Sequence, residues 1–344
     1  MQYNLPYILN IHRRFRFSLL SLGGKNISQE IIPLTFFTLD PNDIQEPLSF
    51  IFNNREKMKE KINNLPDDHI LIPLEKNDFQ LFNPNTLTCP SLRIKKDLKI
   101  LKDIYERTPV LIQKNRETGE IISNPFNIKF KRIFDMSGDS KLFLTKDQLI
   151  NLGARSLDER SEGYIWVDSK NQKYYPLYEG KMIWFYDHRY NSVELSGSSS
   201  QQHVGIPTIN EEYENKFFMP KPVYWVRETE LISRIKHEEY NKEWLLAYRG
   251  VTGSVNERTF ISSIIPLTAV AHTMLTIFSR SPSEDLCFLL ANFNSIVFDY
   301  IVRQKSTTNF LSYFIVEPID RYLDTKYNEK YNAGKPKKTA FNLS

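Results

Sequence analysis

The chain has 344 residues, of which 41% are apolar and 13% aromatic, so it can form two ordinary domains with cores and is too apolar for a disordered tail. Lysine and arginine exceed aspartate and glutamate by only four residues (45 against 41), so a polyanionic partner would have to meet a local basic patch. The two cysteines, Cys89 and Cys287, form no Cys-x-x-Cys pair, which argues against a disulfide scaffold or thiolate zinc site and favours a reducing compartment.

Neither a secretion signal nor a membrane span is predicted. The segment "NIHRRFRF" carries four basic residues where a signal peptide needs an apolar core. The run from Phe260 to Phe278 is long enough for a span, but its serines, threonines, histidine and central Pro266 would need internal partners in hydrocarbon. We therefore expect two buried strands joined at Pro266, in a cytoplasmic protein without membrane contact.

The first predicted elements are two strands and a helix. "RFRFSLLSL" (Arg14 to Leu22) alternates basic and apolar residues before two glycines, which is typical of a strand ending in a turn, and "EIIPLTFFTL" predicts its partner strand. From Asp97, "DLKILKDIYERTP" predicts a helix that ends before Pro109. The apolar face of this helix comprises Leu98, Leu101, Ile104 and Tyr105.

The second half of the chain alternates strands, a polar loop and helices. "YYPLY" and "KMIWFY" predict an aromatic strand pair or one broken strand, and "LSGSSSQQHVGIPTINEEYEN" has too little apolar content for more than a mobile loop. A helix is expected over Glu228 to Ile235, followed by strands in "EWLLAYRGV" and "RTFISSIIP". Apolar residues at helical spacing over "DLCFLLANFNSIVFDYIVRQK" predict one long helix near the C-terminus.

An acidic constellation raises the possibility of metal-dependent chemistry. Asp168 is followed, after ten intervening residues, by Glu179-Gly180-Lys181. Two carboxylates can bind Mg²⁺ and a lysine can assist the deprotonation of water, as many nucleases require. The same spacing arises readily by chance in a chain that is 25% charged. Glu179 and Lys181 would then be alternate residues on one strand face, paired with neighbours or with phosphate.

Two segments carry arginines that suit nucleic acid. "YRGVTGSVNERT" combines glycines with Arg249, Asn256 and Arg258. The arginine forks suit phosphate or guanine edges, and the asparagine amide suits adenine. "FDYIVRQKSTTNFLSYF" places Arg303 and Lys305 where the long helix is expected to end, a setting suited to DNA backbone contact. An ordinary hairpin and a solvated helix end are the alternatives.

The polar loop between Ser196 and Gln202 is a further candidate for groove readout. Flexible polar loops can order on DNA, and Ser198 and Gln201 offer hydroxyl and amide groups there. The sequence contains no glycine-rich dinucleotide fingerprint, phosphate loop, Gly-x-Ser-x-Gly elbow or His-Glu-x-x-His motif.

Taken in order, six segments resemble the C-terminal half of large adenine-specific DNA methyltransferases. The family comprises type IIG and related restriction–modification enzymes and the methyltransferases of BREX and DISARM phage-defence systems. The resemblance runs from about Arg13 to Ile319, in the family's order and at similar spacing. The segments are "FNPNTLTCPSLRIKKDLKILKDIYERTPVLI", "RIFDMSGDSKLF", "YYPLYEGKMIWFYDHRYNSVE", "YWV", "WLLAYRGVTGSVNERTFISSIIP" and "LLANFNSIVFDYIVRQKSTTNFLSYFIVEPI".

The resemblance implies a recognition half without a chemical half. The family's cofactor-binding glycines and its Asn-Pro-Pro-Tyr clamp precede the matched part, so no catalytic residue, metal or cofactor is expected here, and S-adenosylmethionine is expected on a catalytic partner. The implied fold is mixed α/β (α+β). Residues 1–85 would hold residual methyltransferase strands and a connector, residues 86–325 a target-recognition domain with the long C-terminal helix, and residues 326–344 a flexible tail.

The expected function is sequence-specific recognition of double-stranded DNA. The chain would serve an adenine-specific methyltransferase, or a restriction–modification or phage-defence system, together with a methyltransferase or defence protein as partner. The DNA contacts would come from Arg249, Asn256, Arg258, Arg303, Lys305, Ser198, Gln201 and Lys181. A Mg²⁺-dependent nuclease at Asp168, Glu179 and Lys181 and a protein-interaction subunit of a defence complex are the alternatives.

Overall fold

The computed structural model describes residues 31–37, 41–54, 57–161, 163–196, 202–238, 240–253, 255–306 and 308–319. They belong to two compact units, which divide between Arg107 and Thr108. Several predictions concern residues outside the described ranges: the strand over Arg14 to Leu22, the loop residues Ser198 and Gln201, and the tail over 326–344.

The first unit contains two strands and four helices in its described part. They are β1 (Ile31–Leu34), α1 (Gln45–Asn53), α2 (Met58–Asn63), β2 (Ile72–Glu75), α3 (Lys76–Phe82) and α4 (Lys95–Tyr105). β1 pairs antiparallel with β2, so the predicted strand in "EIIPLTFFTL" begins at Ile31. On α4, Leu98, Leu101 and Tyr105 are buried, which confirms the predicted apolar face.

Helix α4 belongs to this first unit. Its Tyr105 ring packs edge-on against Phe82 of α3, with ring centroids 5.5 Å apart. Asp97, the third residue of the helix, stabilises the start of the helix by accepting hydrogen bonds from the amides of Arg93 and Ile94. The compact units therefore divide after α4, whereas the sequence placed a boundary after residue 85.

The second unit combines many short strands with six helices over its described residues. The strands are β3 (Gln113–Lys114), β4 (Ile121–Ser123), β5 (Ile128–Lys131), β6 (Arg155–Ser156), β7 (Trp166–Val167), β8 (Lys173–Tyr178), β9 (Asn191–Leu195), β10 (His203–Pro207), β11 (Trp225–Arg227), β12 (Trp244–Arg249), β13 (Ser262–Pro266), β14 (Ala269–Val270) and β15 (Met274–Ser279). The helices are α5 (Lys146–Asn151), α6 (Asn210–Glu214), α7 (Glu228–Ile235), α8 (Ser283–Phe293), α9 (Ile296–Lys305) and α10 (Tyr313–Val316). Helices with antiparallel and parallel strand pairs confirm the mixed α+β class.

Two sheets enclose the main core of this unit. One has the antiparallel order β13-β12-β15-β5, and the other has the order β11-β8-β7-β6 with β14 parallel to β8. Tyr178, Leu245 and Ile265 are fully buried in the same apolar cluster. The run Phe260 to Phe278 is mostly buried and β13 ends at Pro266, as expected, but the run contributes to three strands, β13, β14 and β15, where two were predicted.

The predicted long C-terminal helix is wrong, because the chain forms two helices there. α8 ends at Phe293 and α9 begins at Ile296, with a bend of 65° between them. Asn294 is buried at the break and exchanges hydrogen bonds with the backbone of Ser262, while the Ser295 hydroxyl accepts from the amide of Phe298. These side-chain bonds to backbone compete with a continuous helix. Within the described ranges, no single helix has the length and apolar content of a membrane span.

The predicted mobile loop after Leu195 is also partly wrong. Within it the structure places β10, which pairs with β9, and helix α6. The strand expected in "KMIWFY" is replaced by a 3-10 turn over Gly180–Met182 and a tight turn bridged between Trp184 and Asp187. Glu179 and Lys181 therefore do not alternate on one strand, because β8 ends at Tyr178.

Candidate nucleic-acid interface

The loop between β12 and β13, residues 250–259, is held by one buried carboxylate. Asp299, on α9, is 5% exposed. Its Oδ1 atom accepts hydrogen bonds from the amides of Thr259 and Phe260, at 2.7 and 2.8 Å. A carboxylate that accepts two backbone amides fixes the path of the backbone as well as its position. The final residues of the loop are thus locked to α9.

Two predicted DNA-contacting arginines surround this carboxylate. Arg303 donates from Nη2 to Asp299 Oδ2 at 3.2 Å and to the carbonyl of Glu257 at 2.9 Å. Arg258 places Nε 3.8 Å from Asp299 Oδ1 and donates from Nη2 to the carbonyl of Asn294. Both arginines point into the protein and brace the loop. The Nη2 atom of each arginine donates to a protein group, which differs from the predicted phosphate and base contacts.

Arg249 holds a second segment, residues 183–190. Its Nε and Nη2 atoms donate to the carbonyl of Ile183, at 3.0 and 2.6 Å. The guanidinium lies 4.8 Å from the ring of Trp184 and 5.7 Å from that of Tyr190, and those two rings stack on each other. Burial lowers the pKa of Arg249 to about 10, so the group is still charged at neutral pH. The half-buried Arg249 therefore acts as a structural clamp on this segment.

The clamped segment presents an aromatic side chain to solvent. Tyr186 is 58% exposed and has a φ of 59°, in the left-handed region that bulky residues rarely adopt. Its amide donates to the carbonyl of Ser262, and the preceding Phe185 lies under the guanidinium of Arg258, 4.5 Å away. The turn and the loop are therefore joined through Arg258, and Tyr186 extends outward beside that junction.

Asn256 is exposed in the same loop. Its Nδ2 atom donates to the Thr252 hydroxyl at 3.2 Å, which orients the amide. The structure thus brings Arg303 next to the loop that carries Asn256 and Arg258, although the two segments are separate in sequence. It leaves Lys305 apart from them, at the C-terminal end of α9, where its Nζ atom donates to the carbonyl of Pro318 at 2.7 Å.

The acidic constellation does not assemble. Asp168 stabilises the turn between β7 and β8 by accepting from the amides of Lys170 and Gln172 and from the hydroxyl of Tyr174. Glu179 follows the opposite end of β8, and a six-residue strand spans about 20 Å. Among the described residues, no group of three or more His, Cys, Asp or Glu side chains is arranged to hold a metal ion.

Glu179 instead pairs with a histidine. Its Oε1 atom lies 2.6 Å from Nδ1 of His203, the first residue of β10, and Glu179 is 5% exposed. The ammonium of Lys181 donates to the carbonyl of the same histidine. Only glycine fits at position 180, between Glu179 and Lys181, because a Cβ atom there would lie 2.5 Å from the carbonyl oxygen of Thr273. The cluster ties β10 to the end of β8.

Sequence reasoning missed Asp299, His203 and Tyr186. Asp299 carries a weak signal, as an acidic residue within an otherwise apolar helical face. His203 and Tyr186 carry none, because their partners are distant in sequence or their backbone conformation is set by the turn. No protein-family model matches the chain, and no curated protein matches it.

Proposed function

We propose that this chain recognises specific sequences in duplex DNA, through the surface formed by the loop 250–259 and the turn Trp184 to Asp187. The observation that supports this most is an exposed amide, Asn256, in a braced loop: the amide bonds the Thr252 hydroxyl, Arg303 holds the carbonyl of the adjacent Glu257, and Asp299 holds the amides that end the loop. A side chain that reads base edges must be held close to its binding geometry, and such support comes from buried residues behind it. Asparagine is suited to bidentate contact with adenine.

Tyr186 would add a stacking contact to this surface. Aromatic side chains stack on bases or insert between base steps, and such contacts tolerate many sequences. The left-handed backbone conformation of Tyr186 is unfavourable, and the contacts of Arg249 and Arg258 hold it in place. Strained residues of this kind occur preferentially at functional sites. The proposal assigns Asn256 to sequence readout and Tyr186 to stacking.

The wider role follows from the resemblance. The chain would supply target recognition to an adenine-specific DNA methyltransferase of a restriction–modification or phage-defence system, in the cytoplasm. A separate catalytic chain would bind S-adenosylmethionine. Incubation of this chain alone with labelled cofactor and duplex DNA is then expected to give no incorporation above a no-protein control, and addition of the catalytic partner should give site-specific incorporation.

A binding experiment tests the recognition itself. The affinity for a labelled random duplex pool is measured over a salt series, and the bound fraction is sequenced. We expect log affinity to fall linearly with log salt, by roughly 0.9 per phosphate contacted, and the bound fraction to be enriched in one motif. Asn256→Ala should relax the motif at one position, whereas the control Glu257→Ala, an exposed neighbour in the same loop, should retain it. Absence of any enrichment in wild type would overturn the proposal.

One observation favours a protein-interaction role as the second candidate. Val255 is 84% exposed and Ile296, two residues after the Asn294 that Arg258 contacts, is 76% exposed. Large apolar side chains at such exposure are typical of surfaces that bind another protein. If Val255→Ser and Ile296→Ser abolish binding of a methyltransferase chain while DNA affinity is unchanged, this surface serves the partner and not the DNA.

A further inference from the structure

Strands β9 and β10 form a two-stranded antiparallel ribbon. Among the described strands they pair only with each other, with His203 opposite Leu195 and Pro207 opposite Asn191. The amide of Ser196 donates to the carbonyl of Gln202, which continues the pairing by one step. Each strand has five residues and spans about 17 Å.

One face of the ribbon is fixed to the protein. Val193 is buried on this face, and His203 is held there by the buried carboxylate of Glu179. At the start of β9, Asn191 donates from Nδ2 to the carbonyl of Lys181. These contacts hold the ribbon at both ends and in the middle, so that the opposite face has a defined orientation.

Three of the four side chains on the opposite face are exposed. Side chains alternate between the faces of a strand, and residues opposite each other across the ribbon share a face. Glu194 is opposite Val204 and Ser192 is opposite Ile206. Glu194, Val204 and Ile206 are exposed, whereas Ser192 is half-buried and its hydroxyl accepts from the amide of Lys221. This face therefore offers one carboxylate and two apolar side chains.

Lysines lie at both outer edges of the ribbon. In an antiparallel pair, every second residue directs its backbone groups away from the partner strand. Val193 does so on β9, where its amide donates to the carbonyl of Lys221. His203 does so on β10, where its carbonyl accepts from the ammonium of Lys181. Lys181 and Lys221 are both exposed, and an exposed lysine thus contacts each edge of the ribbon, Lys181 through its ammonium and Lys221 through its backbone carbonyl.

We infer that the β9–β10 ribbon enters the major groove of duplex DNA and reads base edges with its exposed face. The inference rests on the proposed function and deepens it. The major groove is about 12 Å wide and admits a two-stranded ribbon, whose strands are about 4.8 Å apart. The two phosphate backbones that border the groove would face the two lysines. Val204 and Ile206 suit thymine methyl groups, and Glu194 suits the amino group of cytosine.

A DNA groove fits this ribbon better than a second copy of the chain. Lysines at both edges of a strand pair are a device that prevents edge-to-edge pairing with another sheet. The exposed face has only two apolar side chains, which is too small an apolar area for a stable protein interface. Charge at the edges and mixed polarity on the face are what the groove requires.

The test compares edge residues with face residues. Lys181→Ala and Lys221→Ala should each flatten the salt dependence of duplex binding by about one unit of slope and weaken all sequences alike. Ile206→Ala and Glu194→Gln should leave the slope unchanged, lower affinity for the preferred site on the order of tenfold, and change the selected motif. Lys181→Arg should restore the slope, which separates the loss of charge from any loss of folding. Lys170→Ala, exposed in the turn between β7 and β8, is the matched control.

The outcomes distinguish the two proposals. If wild type selects a motif and shows a salt slope, but the slope and motif are unchanged in all ribbon variants, the groove inference is overturned and DNA recognition stands. If wild type binds no duplex at any salt concentration, both are overturned. If Val204→Ser and Ile206→Ser abolish self-association in sedimentation and leave DNA binding intact, the face is an interface between copies, and the inference fails.

Discussion

Two buried carboxylates, Asp299 and Glu179, each hold a projecting element of the second unit, but they do so differently. Asp299 binds two backbone amides of the loop 250–259 and the guanidinium of Arg303. Glu179 binds one side chain, His203, in the β9–β10 ribbon. Both residues are 5% exposed. The number and type of partners therefore differ while the burial is the same.

The difference indicates how tightly each element is specified. Backbone amides bound to a carboxylate define the main-chain path of the loop, because a changed path would leave buried amides without acceptors. The carboxylate of Glu179 makes one of several contacts that position the ribbon, and the pairing of the strands does not depend on it. We therefore expect the loop to depend on Asp299 more than the ribbon depends on Glu179.

The largest effect is expected for Asp299→Ala. The substitution leaves the amides of Thr259 and Phe260 without an acceptor and Arg303 without its carboxylate, so the free energy of unfolding should fall by roughly 3–5 kcal/mol. Urea unfolding measures the change. Glu257→Ala removes an exposed carboxylate from the same loop and should change the value by less than about 0.5 kcal/mol. Equal effects of the two substitutions would contradict the account of the loop.

A smaller effect is expected for Glu179→Gln. The amide oxygen of glutamine can still accept from His203, so the loss should be about 1–3 kcal/mol, from the charge alone. Hydrogen exchange should become faster in β9 and β10 before it changes in β12. Glu194→Gln, on the exposed face of the ribbon, is the matched control. The comparison breaks down if Glu179→Gln destabilises the protein more than Asp299→Ala does.

A third carboxylate sharpens the comparison through its pH dependence. A hydrogen bond from Lys131 lowers the pKa of Glu238, and the positive charge of Lys129 lowers it further. Desolvation raises this pKa but is outweighed. A carboxyl whose folded pKa is depressed stabilises the fold above its unfolded value of about 4.5, and this contribution is lost as pH falls through the folded pKa. Glu238→Gln should therefore lower Tm near pH 7, by an amount equivalent to about 1 kcal/mol, and the gap to wild type should close in acid.

The pH experiment has its own control. Glu243→Gln replaces an exposed carboxyl just before β12 and should give a gap close to zero at every pH. A gap for Glu238→Gln that stays constant from pH 7 to pH 3 would show that the side chain acts through packing and not through charge.

The smallest effect on stability is expected for Tyr186→Asn. Asparagine adopts left-handed backbone more readily than tyrosine, so relief of strain should offset the lost contacts, and the free energy of unfolding should change by less than about 1 kcal/mol. Duplex affinity should fall in the same variant, because the stacking ring is gone. Thermal melting and DNA titration of one preparation measure both. Loss of stability without loss of affinity would assign Tyr186 to packing.

Several local elements follow from sequence pattern alone. The apolar spacing around Leu98 and Leu101 predicts α4, and the helix over Glu228–Ile235 and the strand Trp244–Arg249 lie where periodicity places them. In each of these elements the apolar residues recur at the spacing of a helix or a strand. This spacing is a short-range property that can be read from the sequence. The break between α8 and α9 escaped prediction, because it depends on Asn294 finding Ser262, 32 residues earlier.

The sequence by itself determined the α+β class, the buried character of the run Phe260 to Phe278, and which segments carry arginine and asparagine. Only the tertiary structure decided which way those side chains face. In sequence, Arg249, Arg258 and Arg303 resemble arginines that contact DNA. A guanidinium, however, binds whichever carbonyl or carboxylate the fold brings within reach. The carbonyls of Ile183, Asn294 and Glu257 that accept from the three arginines lie tens of residues away along the chain, and they meet the arginines only when the sheets and helices pack.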